Sequence, residues 1–141
     1  MDAFLPRFAE DFAAIGRDSL DRLGQLYSDD VVFQDPLHRI EGLAALRRYF
    51  AELYENVEAL AFQFHGHDSV GEGEGYLRWT MRYRHPRLAG GREIAVEGCS
   101  HLRWREGRVY HHRDYFDAGA LLYEHLPLMG RVIHWLKGRL A

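Results

Sequence analysis

Apolar residues recur with helical spacing in two stretches within the first 56 positions. The first stripe consists of Phe4, Leu5, Phe8, Phe12 and Ile15. Gly16 ends this helix, and Asp18 is suited to cap a short second helix. After Gly42 the helical spacing returns and predicts a third helix from about Leu43 to about Asn56.

The remaining pattern predicts strands. Val31 to Asp35 is rich in β-forming residues, and Pro36 stops it. From Ala59 onward apolar and polar residues alternate with a period of two. Turn residues then divide this stretch into successive strands. The first begins near Ala59, and the next contains Leu77, Trp79, Met81 and Tyr83. The last two run from about Glu93 to Arg105 and from Arg108 to Asp117. Helices followed by a meander of antiparallel strands predict an α+β fold with the helices on one face of the sheet.

The pattern indicates a single domain over residues 1–141, with a core of about 3–118 and a helical tail of about 119–140. Beyond Pro127, one side of the tail is apolar, with Leu128, Met129, Val132, Ile133, Trp135, Leu136 and Leu140. This helix either closes a pocket, packs on a partner subunit, or lies on a membrane surface through its apolar face. We expect packing on protein rather than on a membrane.

Composition narrows the function classes. The 141 residues are 47% hydrophobic, which is enough for one core. The formal net charge of −3 argues against a nucleic-acid partner, which normally requires a basic face. A single cysteine, Cys99, excludes an intrachain disulfide and a Cys-based zinc site. The acidic start does not resemble a signal peptide, so we expect a cytoplasmic protein.

Two motifs carry a resemblance to a known family. The run Leu26–Pro36, followed by Glu41-Gly42 at the start of a helix, resembles the nuclear-transport-factor-2-like superfamily. The closing run His112–Asp117 resembles its SnoaL-like branch, whose relatives include ketosteroid isomerases and polyketide cyclases. The resemblance implies a cone-shaped, strongly bent, antiparallel-rich sheet wrapped around the N-terminal helices. It also implies a pocket for a small hydrophobic ligand and a homodimer formed through the outer sheet face.

Asp35 is the first candidate catalytic residue. By alternation its side chain shares a face with Val31 and Phe33. The similar Asp-Pro of ketosteroid isomerases supplies the proton-shuttling base, and Asp35 falls on that position. The alternative is that Asp35 only caps backbone amides in the turn that Pro36 begins.

Asp114 and His112 are the second and third candidates. On the last strand they share a face with Tyr110 and Phe116. The matching aspartate of SnoaL-like cyclases is the acid/base, and His112 would orient it through a hydrogen bond. Two carboxylates in one dry pocket do not ionise together easily, so one serves as base and the other as acid. The alternative is a structural salt bridge from Asp114 to an arginine such as Arg82 or Arg103.

The predicted pocket wall is mainly apolar and aromatic. It consists of Phe12, Phe33, Leu77, Trp79, Met81, Ser100, Tyr110 and Phe116. Ketosteroid isomerases hold the developing oxyanion with an acid and a tyrosine, and the matching positions here are Ser100 and about Phe12. Because phenylalanine donates no hydrogen bond, we do not expect steroid isomerisation by that mechanism.

No cofactor is expected, because the sequence has no Gly-rich phosphate loop. His65 and His67 share a strand face, but no motif supplies a third metal ligand, so we expect no metal site. The favoured function is acid/base proton transfer on a hydrophobic molecule, of the isomerase, cyclase, dehydratase or hydrolase type. The alternative is a non-catalytic ligand-binding or dimerisation module with a vestigial pocket.

Overall fold

The computed structural model describes residues 3–117 together with residues 135, 136, 138 and 139. The helices are α1 (Phe4–Ala13), α2 (Leu23–Leu26, entered through a 3₁₀ turn at Leu20–Arg22) and α3 (Leu43–Asn56). The strands are β1 (Tyr27–Gln34), β2 (Arg39–Glu41), β3 (Ala59–Gly71), β4 (Glu74–Arg84), β5 (Ile94–Arg105) and β6 (Arg108–Phe116). The predicted α+β class is confirmed, and α3 has the predicted bounds.

The six strands form one mixed sheet in the order β2-β1-β6-β5-β4-β3. Strands β3 to β6 form the predicted antiparallel meander. The sequence pattern did not indicate the short strand β2, nor that β1 pairs in parallel with β6. In this pairing Phe33 lies opposite His112 and Gln34 lies opposite Arg113. The residues that follow β1 are therefore brought beside the C-terminal end of β6.

The core lies between the helices and one face of the sheet. Helix α1 packs against β3 and β4, and α3 packs against β1 and β2. The stripes predicted for these helices are the buried ones: α1 contributes Phe4, Leu5 and Phe8, and α3 contributes Leu46 and Phe50. Period-two alternation places Leu77 of β4 and Leu102 of β5 in the same core.

A β-bulge in β6 changes which side chains face the core. Trp104 pairs with Val109, but Arg103 pairs with His111, so β6 has one extra residue at Tyr110. As a result Val109 and His112 are both buried. The Tyr110 ring instead packs against Arg105, whose guanidinium carbon lies 4.4 Å from the ring centre. The prediction that Tyr110 shares the inward face of β6 is therefore wrong.

The predicted tail helix lies mostly outside the described residues. Of its positions, Trp135, Leu136, Gly138 and Arg139 are described, and all four are helical. The guanidinium of Arg139 lies 5.0 Å from the centre of the Trp135 ring. No helix in the described part of the chain has the length and apolar character needed to cross a bilayer.

The face of the sheet opposite the helices is polar and carries cross-strand pairs. Arg82 pairs with Glu93, and Arg78 pairs with Asp68. At the start of β4, Nε2 of His101 donates to Oε2 of Glu74 at 2.7 Å. The homodimer expected through this face stays a prediction.

His111, on the same polar face, is expected to make stability depend on pH. Burial, and then the neighbouring His101 and Arg103, lower the pKa of His111 below its usual 6.5. Below about pH 6.5 the unfolded chain therefore binds a proton that the folded chain resists, and stability falls as pH falls. Urea unfolding at about pH 7.5 and about pH 5.5 measures this effect. Between these two pH values, the free energy of unfolding of His111→Gln should fall less than that of the wild type. The exposed His67, changed to Gln, serves as the control and should leave the pH dependence unchanged.

Candidate active site

A cavity of about 160 Å³ opens between α1, α3 and the inner face of the sheet. Its lining residues are Phe12, Phe33, Asp35, Leu37, His38, Tyr49, Phe50, Leu53, Phe62, Trp79, Met81, Asp114 and Phe116. A narrow extension of about 10 Å³ shares part of this wall and is also lined by Phe8, Phe64, Leu77, Ser100 and His112. An apolar cavity of about 150 Å³ in another protein takes up benzene, so this cavity has the size of one ring.

Most of the residues predicted for the site lie together around this space. Those on the main cavity are Phe12, Phe33, Asp35, Trp79, Met81, Asp114 and Phe116. Leu77, Ser100 and His112 line the extension. Tyr110 lies elsewhere, because the bulge in β6 turns it away. The fold therefore brings both candidate carboxylates to the border of one cavity.

Asp35 is held by the turn that ends β1. Its backbone N–H donates to the carbonyl oxygen of His38 at 2.9 Å, which closes the turn. Its Oδ1 accepts hydrogen bonds from the backbone N–H groups of Leu37 and His38, at 2.8 and 2.7 Å. The turn-capping interpretation is therefore correct for Oδ1, and it coexists with a position on the cavity wall.

The second oxygen of Asp35 is bound by helix α3. The hydroxyl of Tyr49 donates to Oδ2 at 3.1 Å. Burial, and then the negative charge of Asp35, raise the pKa of Tyr49, so this phenol keeps its proton. In the sequence, Tyr49 is one of the residues that recur with helical spacing after Gly42, and this spacing predicts only that it lies on the buried side of α3. The available signal was its hydroxyl, a polar group on the buried face of a helix that otherwise packs apolar side chains.

Hydrogen bonds among residues of β4, β5 and β6 hold the side chain of Asp114. Its Oδ1 accepts hydrogen bonds from Ser100 Oγ at 2.5 Å and from His112 Nε2 at 2.6 Å. Ser100 Oγ in turn accepts a hydrogen bond from Trp79 Nε1 at 2.8 Å. The alternative of a salt bridge to Arg82 or Arg103 is wrong, because those arginines pair with Glu93 and Glu74.

His112 takes its orientation from Tyr27, whose hydroxyl lies 2.8 Å from His112 Nδ1. Tyr27 is completely buried, and burial raises the pKa of its hydroxyl, so the proton stays on the tyrosine. A carboxylate only accepts hydrogen bonds, so His112 Nε2–H donates to Asp114. When the imidazole ring is neutral, its Nδ1 accepts from the Tyr27 hydroxyl. Tyr27 carried no signal for this role beyond its place in the family motif.

The arrangement suits chemistry that moves protons. Two carboxylates are fixed through their Oδ1 atoms, which leaves Oδ2 of Asp114 without a protein donor among the described residues. Tyr49 and Ser100 provide hydroxyl groups beside them. Across the described ranges, no three His, Cys, Asp or Glu side chains are grouped closely enough to hold a metal ion.

The fold and the sequence agree on the family. A sequence model of the SnoaL-like domain matches residues 7–112, which is most of the chain. The chain therefore belongs to the SnoaL-like domain family.

Solved structures show the same fold at low sequence identity. An NTF2-like protein of unknown function from Burkholderia pseudomallei K96243 is 15% identical over 86% of this chain and 96% of its own, with a TM-score of 0.74. An LEH-like epoxide hydrolase of M. tuberculosis is 21% identical over 90% of this chain and 93% of its own, with a TM-score of 0.69. A putative SnoaL-like polyketide cyclase from Shewanella putrefaciens CN-32 is 15% identical over 86% and 94%, with a TM-score of 0.70. No curated protein matches the chain.

Proposed function

We propose that this chain is a cofactor-independent enzyme that transfers protons on a small, largely apolar molecule. Asp35 is the base, Asp114 is the second acid/base group, and His112 orients Asp114. The observation that carries the proposal is that both carboxylates border one cavity with an aromatic wall. The epoxide hydrolase and cyclase among the structural relatives are consistent with a reaction of the isomerase, cyclase, dehydratase or hydrolase type.

Each carboxylate has a distinct task in this proposal. Asp35 accepts a proton from the bound molecule, and the hydroxyl of Tyr49 remains within reach to bind the carboxyl group or the molecule. Asp114 exchanges a proton with the other side of the molecule through Oδ2, since Oδ1 is occupied by Ser100 and His112. Because both side chains are nearly buried, at 5% and 12% exposure, bulk water competes little for these protons.

Exchange of carbon-bound protons with solvent deuterium tests the proposal. Cyclohexanone, a single-ring carbon acid of the size of the cavity, is incubated in D₂O with the wild type and followed by proton NMR. The wild type should exchange the protons next to the carbonyl faster than the double variant Asp35→Asn/Asp114→Asn, which lacks both proton-transfer groups. The double variant is checked for folding by circular dichroism before it is used.

Equal exchange by the wild type and the double variant would contradict the proposal. If cyclohexanone then still bound to the wild type in calorimetry, the chain would be a ligand-binding module that uses the same cavity without catalysis.

A further inference from the structure

The charged groups on the cavity wall are mainly acidic. Among the described residues that line it, the ionisable acids are Asp35 and Asp114, and neither lysine nor arginine is present. The histidine of this wall, His38, lies at the edge with its side chain 49% exposed, and its Nδ1 lies 3.2 Å from Oδ1 of Asp35. The cavity wall therefore carries two carboxylates and no permanent cation in the described part of the chain.

Both carboxyl groups accept hydrogen bonds from the surrounding protein. Two backbone N–H groups donate to Asp35, and Ser100 and His112 donate to Asp114. Oδ2 of Asp114 has no protein donor among the described residues, so this oxygen is available to bind a ligand.

The rest of the wall is suited to a cation. Seven aromatic rings border the cavity, and they are those of Phe12, Phe33, Tyr49, Phe50, Phe62, Trp79 and Phe116. The faces of such rings attract organic cations, most strongly where water is excluded. A ligand that binds as an anion would instead be repelled by these carboxylates across a medium that screens poorly.

We propose that the cavity selects an organic ammonium cation of about one ring in size. The aromatic wall holds its apolar body, and the carboxylates of Asp35 and Asp114 bind its positive charge. The inference deepens the proposed function, since it names the charge class of the substrate of the same site.

A series of three ligands with one ring and different charge tests the inference. Calorimetry on the full chain near pH 7 compares 2-phenylethylammonium, 2-phenylethanol and phenylacetate. The ammonium should bind at least about tenfold more tightly than the alcohol, and phenylacetate should bind more weakly than either. Each of the variants Asp35→Asn and Asp114→Asn should reduce ammonium binding and leave alcohol binding nearly unchanged.

Asp30→Asn is the matched control, because it removes the same charge outside the cavity, where Asp30 pairs with Arg105 at the surface. It should leave ammonium binding intact. The inference is overturned if the alcohol binds as tightly as the ammonium, if none of the three ligands binds, or if Asp30→Asn weakens binding as much as the cavity variants do. Because the titration requires no turnover, ammonium selectivity without deuterium exchange refutes the proposed catalysis alone. Exchange without ammonium selectivity refutes this inference alone.

Discussion

Changing Asp35 to asparagine should slow the proton transfer that the wild type shows in D₂O by about 10²- to 10⁴-fold, the usual contribution of a positioned acid or base. Asparagine cannot accept the substrate proton at this position. It keeps an oxygen that can accept the Leu37 and His38 N–H bonds, so the turn after β1 should survive. The rate should therefore fall far more than the thermal stability.

The rate is measured by NMR exchange and the stability by thermal unfolding on the same preparation. Asp30→Asn, with the same change of charge on the exposed side of β1, should keep the wild-type rate. Tyr49→Phe removes the hydroxyl that binds Oδ2 and should give an intermediate loss, because the base itself remains. A folded Asp35→Asn variant with the wild-type rate would show that another group is the base.

Changing Gly98 to alanine should both destabilise the fold and disturb the hydrogen bonds that hold Asp114. Gly98 lies on the inner face of β5 opposite Trp79 of β4. A Cβ at this position would lie 2.5 Å from Trp79 Cη2 and 2.7 Å from the carbonyl oxygen of Tyr115, both far inside van der Waals contact. Forcing extra volume into a packed site costs about 1–3 kcal/mol of unfolding free energy.

The movement expected of the Trp79 ring connects this loss of stability to the Asp114 side chain. If the indole ring moves away from Gly98, its Nε1 is drawn from Ser100 Oγ, and Ser100 is one of the two donors that hold Asp114. Urea unfolding should report the lower stability, and tryptophan fluorescence should report the change around the ring.

Two comparisons isolate the contact between Gly98 and Trp79. Gly71→Ala adds the same methyl group to a strand position with no heavy atom within 4 Å, and should be nearly neutral. The double variant Gly98→Ala/Trp79→Phe should recover part of the lost stability, because the smaller ring vacates the space. Wild-type stability and fluorescence in Gly98→Ala would contradict the packing described for these two residues.

Local periodicity predicted the elements well. The stripe from Leu43 to Asn56 indicated α3 with its observed bounds, and alternation around Trp79 and Met81 indicated the inward face of β4. These predictions hold because a helix or strand buries one side, and that side is recorded in the order of neighbouring residues. The family motifs added Asp35 and Asp114 as candidates.

Contacts between distant parts of the chain decided the composition of the site. Tyr49 reaches Asp35 from another element, and Tyr27 reaches His112 across 85 positions. The inserted Tyr110 shifts the alternation of β6, and a period-two pattern assumes that no residue is inserted.

The sequence by itself determined an α+β domain of the SnoaL-like family with an apolar interior and two candidate carboxylates, because each of these depends on residue type and short-range spacing. Only the tertiary structure decided that the two carboxylates border one cavity, that Asp35 both caps its turn and binds Tyr49, and that Asp114 is held by Ser100 and His112. The parallel pairing of β1 with β6 is the physical reason, since it places residues nearly eighty positions apart at one end of the sheet.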